Sequence, residues 1–387
     1  MKNLKEKLET LCIFRDFLKD DVISSLLKYL DKPTNSAYAE FVSFIYERND
    51  GNLGEYIKEL CFNSENIYVR TIGLGKDVPE YMLSSLKFEL DILQEVSELN
   101  KEVLCESLKY NGFLPEFTTT NLNLKDIYLN RAENIEKYGY GIYAKNSMFY
   151  VNEKGSIVPV LNPDKTELSD FVDYERERNI IIDNTKALLQ GKPAANILLT
   201  GDAGTGKSST VKAVGNALFR DGLRIIEVRK NQLRSIPKIL DELSINPLKF
   251  VLFIDDLSFA KDDDNFSALK AVIEGSVTAK SNNVVIYATS NRRHVVKEKF
   301  SDRDGDDVHR NDTMQELISL SERFGIHISF SKPNKETFLH IVHHLADKSG
   351  IKMPATEMDL LAERFALERG GRSARLARQF IDSLMAK

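Results

Sequence analysis

One eight-residue pattern, G-x-x-x-x-G-K-[ST], constrains this chain more than any other feature of its sequence. An apolar run at residues 196–200 precedes it, and residues 209–220 follow it with apolar side chains at helical spacing. The pattern therefore lies on a strand-to-helix turn, where glycines let backbone N–H groups and the positive end of the helix dipole converge on a phosphate. Its residues are Gly201, Asp202, Ala203, Gly204, Thr205, Gly206, Lys207 and Ser208.

The last two residues of the pattern carry side chains that suit a triphosphate. Lys207 is expected to reach the β- and γ-phosphates, and the Ser208 hydroxyl is expected to ligate Mg²⁺. Ser209 follows directly at the start of the helix and belongs to the same predicted set. The sequence therefore predicts that the chain binds a nucleoside triphosphate together with Mg²⁺.

Composition limits the remaining classes of function. The 387 residues are 42% hydrophobic and 29% charged, which is typical of a folded protein with two or three domains. Residues 1–165 hold 20 basic and 26 acidic residues, and the whole chain has a net charge of −5. Net charge therefore does not support nucleic-acid binding, although a local basic groove would be compatible with this net charge. Three widely spaced cysteines, and the lack of a long apolar run or signal-peptide core, predict a cytoplasmic protein without a membrane segment.

Hydrophobic periodicity divides the chain into four predicted regions. Residues 1–110 have helical spacing and form a helical N-terminal domain, and 111–165 form a small β-hairpin and linker. Residues 166–331 alternate strands with helices, which predicts a five-stranded parallel sheet covered on both faces, an α/β fold. Residues 332–387 are helical only and form a lid.

Polar side chains follow two of the predicted strands at the edge that carries the phosphate loop. Asp255 and Asp256 end an apolar strand, the pattern called Walker B, and Asn291 follows the next strand. We expect Asp255 to hold Mg²⁺ and Asp256 to polarise the attacking water as a general base. Asn291 can orient that water or contact the γ-phosphate, although an asparagine after a strand is also a common turn residue.

Together, the phosphate loop, the two acids, the strand ending in Ala-Thr-Ser-Asn and the three-helix lid resemble an AAA+ ATPase over residues 168–387. The runs at 253–259, 274–277, 287–294 and 320–325 more narrowly resemble a family of bacterial AAA+ ATP-binding proteins whose cellular role is not established. The resemblance implies ATP as the nucleotide and a P-loop NTPase core with a C-terminal helical lid.

Further site residues follow only from this resemblance. In AAA+ rings an arginine of one subunit reaches the γ-phosphate bound by its neighbour, and Arg323 is the candidate, which would make activity depend on a homo-oligomer. Arg375 matches the sensor 2 position that faces the nucleotide, with Arg372 as the other candidate. Phe171 or Tyr174 matches the segment that packs on adenine, and each is equally compatible with ordinary packing.

Three functions remain compatible with this sequence. The first is an oligomeric, Mg²⁺-dependent ATPase that couples turnover to a protein partner recognised by the N-terminal domain. The second is a nucleotide-gated switch with little hydrolysis, because Asp256 is one methylene shorter than the glutamate that most AAA+ proteins carry there. The third, a DNA-associated loader or remodeller, rests on analogy alone. A charged segment at 301–312 could engage a partner or a neighbouring subunit in any of them.

Overall fold

The computed structural model describes residues 2–106, 108, 110–257, 269, 270, 272, 273, 282–291 and 322–386. The chain divides into two compact units, Met1–Lys145 and Asn146–Lys387. The charged segment at 301–312 and the run at 274–277 lie outside the described residues.

The first unit is helical in its described residues and runs to Lys145, beyond the range 1–110 predicted for the N-terminal domain. Asparagine, aspartate or threonine side chains accept backbone N–H bonds at the start of most of these helices, which favours their formation there. The helices are α1 (Lys2–Glu9), α2 (Asp21–Asp31), α3 (Asn35–Tyr46), α4 (Leu53–Asn63), α5 (Ile67–Gly73), α6 (Glu80–Ser97), α7 (Lys101–Cys105), α8 (Leu124–Glu133) and α9 (Ile135–Tyr138).

A buried carboxylate organises one turn of this unit. Glu89, on α6, is 2% exposed, and its carboxylate accepts hydrogen bonds from the backbone N–H groups of Cys12 at 2.9 Å, Ile13 at 3.0 Å and Phe14 at 2.9 Å. The three donors satisfy an acid that would otherwise be costly to bury. Glu89 therefore fixes the chain between α1 and α2 against α6.

The second unit is built on a seven-stranded sheet. Its strands are β1 (Met148–Val151), β2 (Ile157–Pro159), β3 (Ile197–Gly201), β4 (Leu223–Glu227), β5 (Lys249–Ile254), β6 (Val284–Ser290) and β7 (Ile326–Phe330), in the order β2-β1-β4-β5-β6-β3-β7. Among the strand pairs of the described residues, the β1–β2 pair alone is antiparallel. β3 to β6 are largely buried runs of apolar residues, as expected for parallel strands covered on both faces.

The sheet is larger than the five strands predicted. The strands β3 to β7 lie in the region predicted for five strands, and β1 adds a sixth parallel strand because Met148 pairs in parallel register with Ile225 of β4. The hairpin therefore belongs to the second unit, whereas the sequence assigned it to a separate region ending at residue 165. Residues Gly141–Tyr143, which lie in the region predicted to form the hairpin and linker, form a 3₁₀ turn in the first unit.

In the described ranges this unit also contains the helices α10 (Glu175–Leu189), α11 (Lys207–Ala217), α12 (Ile236–Ser244), α13 (Lys335–Lys348), α14 (Ala355–Glu368) and α15 (Ala374–Met385). We call α13–α15 the C-terminal bundle. It has its own core, which includes Phe338, Val342, Ala362 and Phe380. In the part of the chain that the structure describes, no helix is long and apolar enough to span a membrane.

Candidate nucleotide site

The phosphate-loop pattern joins β3 to α11, the context that the sequence predicts. Gly201 ends β3 with φ of 139°, and a Cβ atom there would lie 2.0 Å from the carbonyl oxygen of Phe330 in β7. Gly206 has φ of 92° and is the N-cap residue of α11, and because glycine has no side chain it does not cap the first turn of this helix. Glycine is therefore required at 201 for close strand packing and at 206 for a left-handed backbone. Asp202 and Ala203 are exposed.

Lys207 is buried at the centre of the loop, with 4% of its surface exposed. Its Nζ donates to the carbonyl oxygens of Gly201 and Asp202, each at 2.8 Å, and to Oδ1 of Asn291 at 3.2 Å. Burial lowers the pKa of the Lys207 ammonium, and nearby carboxylates, that of Asp202 first, oppose this shift. The loop therefore holds a cation at the end of β3, in the place where a phosphate would lie against α11.

Ser208 and Asp255 form the predicted metal-binding pair. The Ser208 hydroxyl, in the first turn of α11, donates to Oδ1 of Asp255 at 2.6 Å, directly after β5. A hydroxyl and a carboxylate are oxygen donors of the kind that Mg²⁺ takes from proteins while phosphates and water complete its shell. In the described residues no group of three or more His, Cys, Asp or Glu side chains could hold a metal by itself. The donor set thus fits a Mg²⁺ ion that binds together with a nucleotide.

Asp256 and Asn291 are brought together as the parallel topology predicts. Nδ2 of Asn291 donates to Oδ1 of Asp256 at 2.8 Å. Asp256 has φ of 53°, a left-handed backbone that aspartate and asparagine adopt more readily than other residues with side chains. Asn291 therefore contacts both the Lys207 ammonium and the Asp256 carboxylate.

A cavity of about 530 Å³ opens over these groups. The C-terminal bundle supplies one wall through Arg375 and Arg378 of α15, together with Ile341 of α13. The backbone N–H of Arg375 donates to the carbonyl oxygen of Gly204 at 3.2 Å, and a Cβ atom at Gly204 would come within 3.1 Å of the Arg375 Cβ. The start of α15 is therefore packed directly on the phosphate loop.

Aromatic side chains line another part of the same cavity. Both Phe171 and Tyr174 are among its lining residues. The Tyr174 ring lies 5.6 Å from that of Phe330, and its hydroxyl donates to the carbonyl oxygen of Ser331 at 2.6 Å. Burial raises the pKa of Tyr174 to about 12. The buried Arg178 guanidinium lies 5.7 Å from the centre of the Phe171 ring. This wall offers flat apolar surface beside the polar loop.

Two of the predicted arginines, Arg372 and Arg323, do not line this cavity. Arg372 makes a two-point ion pair with Glu363, with N–O distances of 2.8 and 2.6 Å, and it does not line the cavity. Arg323 precedes β7 and lines a different cavity, together with Asn196, the residue before β3. This second cavity is at the amino ends of the strands, the opposite edge of the sheet from Lys207.

The sequence did not single out Thr289, Arg378 or Phe330. Phe330 ends β7 beside Gly201, so the sheet order was needed to find it. Arg378 lies three residues after Arg375, and this helical spacing was a signal that could have revealed it. Thr289 lies in the strand just before Asn291, where a threonine is ordinary, and no sequence pattern distinguishes it.

Comparison with known proteins assigns the chain to a family and finds solved structures that are distantly similar to it. No curated protein matches the chain. Three solved structures of RuvB from Thermotoga maritima, one described as a Holliday junction branch migration motor and two as mutants, are 16% identical to it with TM-scores of 0.37 to 0.39. The match covers 57% of this chain and 64 or 65% of those chains, so this chain spans less than two thirds of their length.

A family model matches residues 144–387, which is more than half of the chain and includes every residue of the candidate site. The match confirms the predicted membership in a family without an established role. The chain belongs to the family described as "Protein of unknown function (DUF815)".

Proposed function

We propose that this protein is a Mg²⁺-dependent ATPase of the AAA+ type that works as a homo-oligomer. One observation carries the proposal. The buried Lys207, the Ser208–Asp255 pair and the Asn291–Asp256 pair meet at the carboxyl edge of one parallel sheet, beneath a cavity large enough for a nucleotide. The strand order and the C-terminal bundle at the cavity wall support the AAA+ type.

In the proposed site each part of ATP has a chemical partner. The phosphates bind the backbone N–H groups at the start of α11 and the Lys207 ammonium, and Arg375 adds a cation from the C-terminal bundle, which acts as a lid. The adenine packs against the aromatic wall that includes Phe171 and Tyr174. Ser208 and Asp255 hold Mg²⁺, which when bound neutralises charge on the phosphates.

Hydrolysis requires a base for water and a charge that stabilises the transition state. Asp256 is the proposed base, and Asn291 fixes its carboxylate. Because Arg323 lies at the opposite edge of the sheet from Lys207, it cannot reach the phosphates bound by its own chain. The proposal therefore assigns Arg323 to the site of a neighbouring copy, where such an arginine is worth roughly 10³-fold or more in rate.

Substitutions at three positions test these roles. Lys207→Ala should abolish ATP binding, whereas Lys212→Ala on the same helix, outside the cavity, should leave binding intact. Asp256→Asn should bind ATP but not hydrolyse it, as measured by phosphate release. Unchanged hydrolysis by Asp256→Asn would refute the base.

A mixing experiment tests the action of Arg323 across subunits. Arg323→Ala and Lys207→Ala should each be inactive alone, and mixing the two proteins should restore part of the activity. Recovery is expected because the intact loop of one chain then meets the intact arginine of the other. A mixture as inactive as its components would refute this arrangement.

A second function, a nucleotide-gated switch with little hydrolysis, is favoured by one contact. The hydrogen bond from Asn291 occupies an oxygen of Asp256, the carboxylate that should activate water. Measuring phosphate release over a range of protein concentrations separates the two functions. An oligomeric ATPase gains specific activity as it assembles, and a monomeric switch does not.

We further propose that the helical unit Met1–Lys145 recognises a protein partner in the cytoplasm. This unit is compact, and it exposes Tyr81 and Phe88 seven residues apart on one face of α6, with 74% and 54% of their surfaces accessible. The three cysteines are free, in keeping with a reducing compartment. Pulldown with the Asp256→Asn variant and ATP, compared with Tyr81→Ser in the same background, tests whether this face binds the partner.

A further inference from the structure

One buried hydroxyl contacts both acidic residues of the candidate site, the carboxylate of Asp255 and the backbone of Asp256. Thr289 lies near the end of β6 with 1% of its surface exposed. Its Oγ1 donates to Oδ1 of Asp255 at 2.5 Å and accepts from the backbone N–H of Asp256 at 2.9 Å. A threonine hydroxyl has one proton to donate and lone pairs to accept with, so both bonds can form at once.

The first bond determines where the Asp255 carboxylate lies. The same Oδ1 atom also accepts from Ser208 at 2.6 Å, so Thr289 and Ser208 hold this oxygen from two different elements, β6 and α11. Because Thr289 is fixed inside a central strand, it has little freedom to follow a misplaced carboxylate. Asp255 is thereby oriented before any metal ion binds.

The second bond supports the unusual backbone at Asp256. Asp256 has φ of 53°. Its own backbone N–H donates to the Thr289 hydroxyl, and the N–H of the next residue, Leu257, donates to the Thr289 carbonyl oxygen at 2.6 Å. The left-handed conformation aims the Asp256 carboxylate at Asn291. Removal of the hydroxyl would therefore take away one of the hydrogen bonds that hold each acidic residue, although Thr289 does not line the cavity.

We propose that Thr289 is the positioning residue for both carboxylates, holding Asp255 for Mg²⁺ and Asp256 for the attacking water. This role rests on the proposed ATPase function. Thr289 acts through the two aspartates, so it should affect metal dependence and turnover and should have little effect on the affinity for the nucleotide itself.

Thr289→Val tests the role because valine keeps the shape and removes the hydroxyl. We expect the turnover number to fall about tenfold and the Mg²⁺ concentration for half-maximal activity to rise several-fold, as expected for a lost hydrogen bond to a charged group. The affinity for a fluorescent ATP analogue at saturating Mg²⁺ should stay within about twofold. Thr289→Ser, which restores the hydroxyl, should recover most of both losses.

Thr185 provides the matched control. It is fully buried in α10, and its hydroxyl contacts the Tyr287 hydroxyl at 2.8 Å, away from the carboxylates. Thr185→Val should lower the melting temperature as much as Thr289→Val and leave the Mg²⁺ dependence unchanged. An unchanged turnover number and Mg²⁺ dependence in Thr289→Val would overturn the proposal.

Hydrogen exchange keeps this test separate from the test of the ATPase function. If the wild-type protein hydrolyses no ATP, the proposed function fails, and the amide of Asp256 still reports on Thr289. Its exchange should become faster in Thr289→Val and return to the wild-type rate in Thr289→Ser. Equal exchange rates in all three proteins would show that Thr289 does not hold this backbone.

Discussion

The backbone at Asp256 leads to a prediction about why an aspartate occupies this position. Its φ of 53° lies in the left-handed region, and hydrogen bonds from Asp256 and Leu257 to Thr289 hold the chain there. Asp256→Glu introduces the residue that most AAA+ proteins carry. Glutamate lacks the tolerance for this conformation that aspartate and asparagine share.

The expected loss of folding stability follows from this difference in tolerance for a left-handed backbone. A left-handed backbone costs an ordinary L-residue roughly 1–2 kcal/mol, and aspartate is several-fold enriched in it, so Asp256→Glu should destabilise the second unit by about 1 kcal/mol. This corresponds to about a fivefold change in the folding equilibrium. Asp256→Asn keeps the backbone preference and the size of the side chain, and should change stability by less than about 0.5 kcal/mol.

The chain provides its own control in the other unit. Asp50 has the same φ of 53° in a turn between α3 and α4. Asp50→Glu should therefore destabilise the first unit by about the same 1 kcal/mol and leave the second unit unaffected. Hydrogen exchange measured by mass spectrometry over a series of urea concentrations reports each unit separately, through peptides of α6 and of β5.

Two outcomes would refute this reasoning. If Asp256→Glu is as stable as the wild type while Asp50→Glu is destabilised, position 256 is not held in the left-handed region. If Asp256→Asn loses as much stability as Asp256→Glu, the charge at this position, and not the backbone, selects the aspartate.

Two further predictions concern the arginines near α15 and the cysteines. Arg372→Ala should lower the melting temperature because it removes both hydrogen bonds to Glu363, and it should change the affinity for ATP by no more than about twofold. Arg375→Ala should weaken ATP binding by about tenfold, as titrated with a fluorescent analogue. Cys61 should resist alkylation at pH 8 in the folded protein because burial raises its thiol pKa, and Cys12, although exposed, should react more slowly than a free thiol because its hydrogen bond to Glu89 raises its pKa. Both thiols should react faster as pH rises, because more thiolate forms. Mass spectrometry of timed samples measures the rate of alkylation at each cysteine. A Cys12 that reacts as fast as a free thiol would contradict the predicted effect of Glu89.

The sequence predicted those parts of the site that depend on a local motif and one topological rule. Lys207 and Ser208 come from a contiguous pattern, and Asp255 and Asn291 follow strands whose carboxyl ends meet at one edge in a parallel sheet. Five strands of the seven-stranded sheet lie in the predicted region 166–331 and three helices lie in the predicted region 332–387, because long apolar runs and amphipathic periodicity are strong signals.

Other features depend on which side chains pair in the folded chain, and there the sequence left alternatives open. Arg372 and Arg375 lie three residues apart, and their different positions follow from Glu363, which binds one, and from Ser373, whose hydroxyl caps α15. The strand β2, only three residues long, has too short a pattern to predict.

The hydrogen bond between Arg375 and Gly204 has a consequence for how the C-terminal bundle can respond to a ligand. It joins two main-chain groups, so no replacement of the Arg375 side chain, other than by proline, removes it. A shift of the Gly204 carbonyl when a phosphate enters the loop would be transmitted to the first turn of α15 without help from any guanidinium. The orientation of α15 would then report the state of the loop even in a variant that lacks both Arg375 and Arg378.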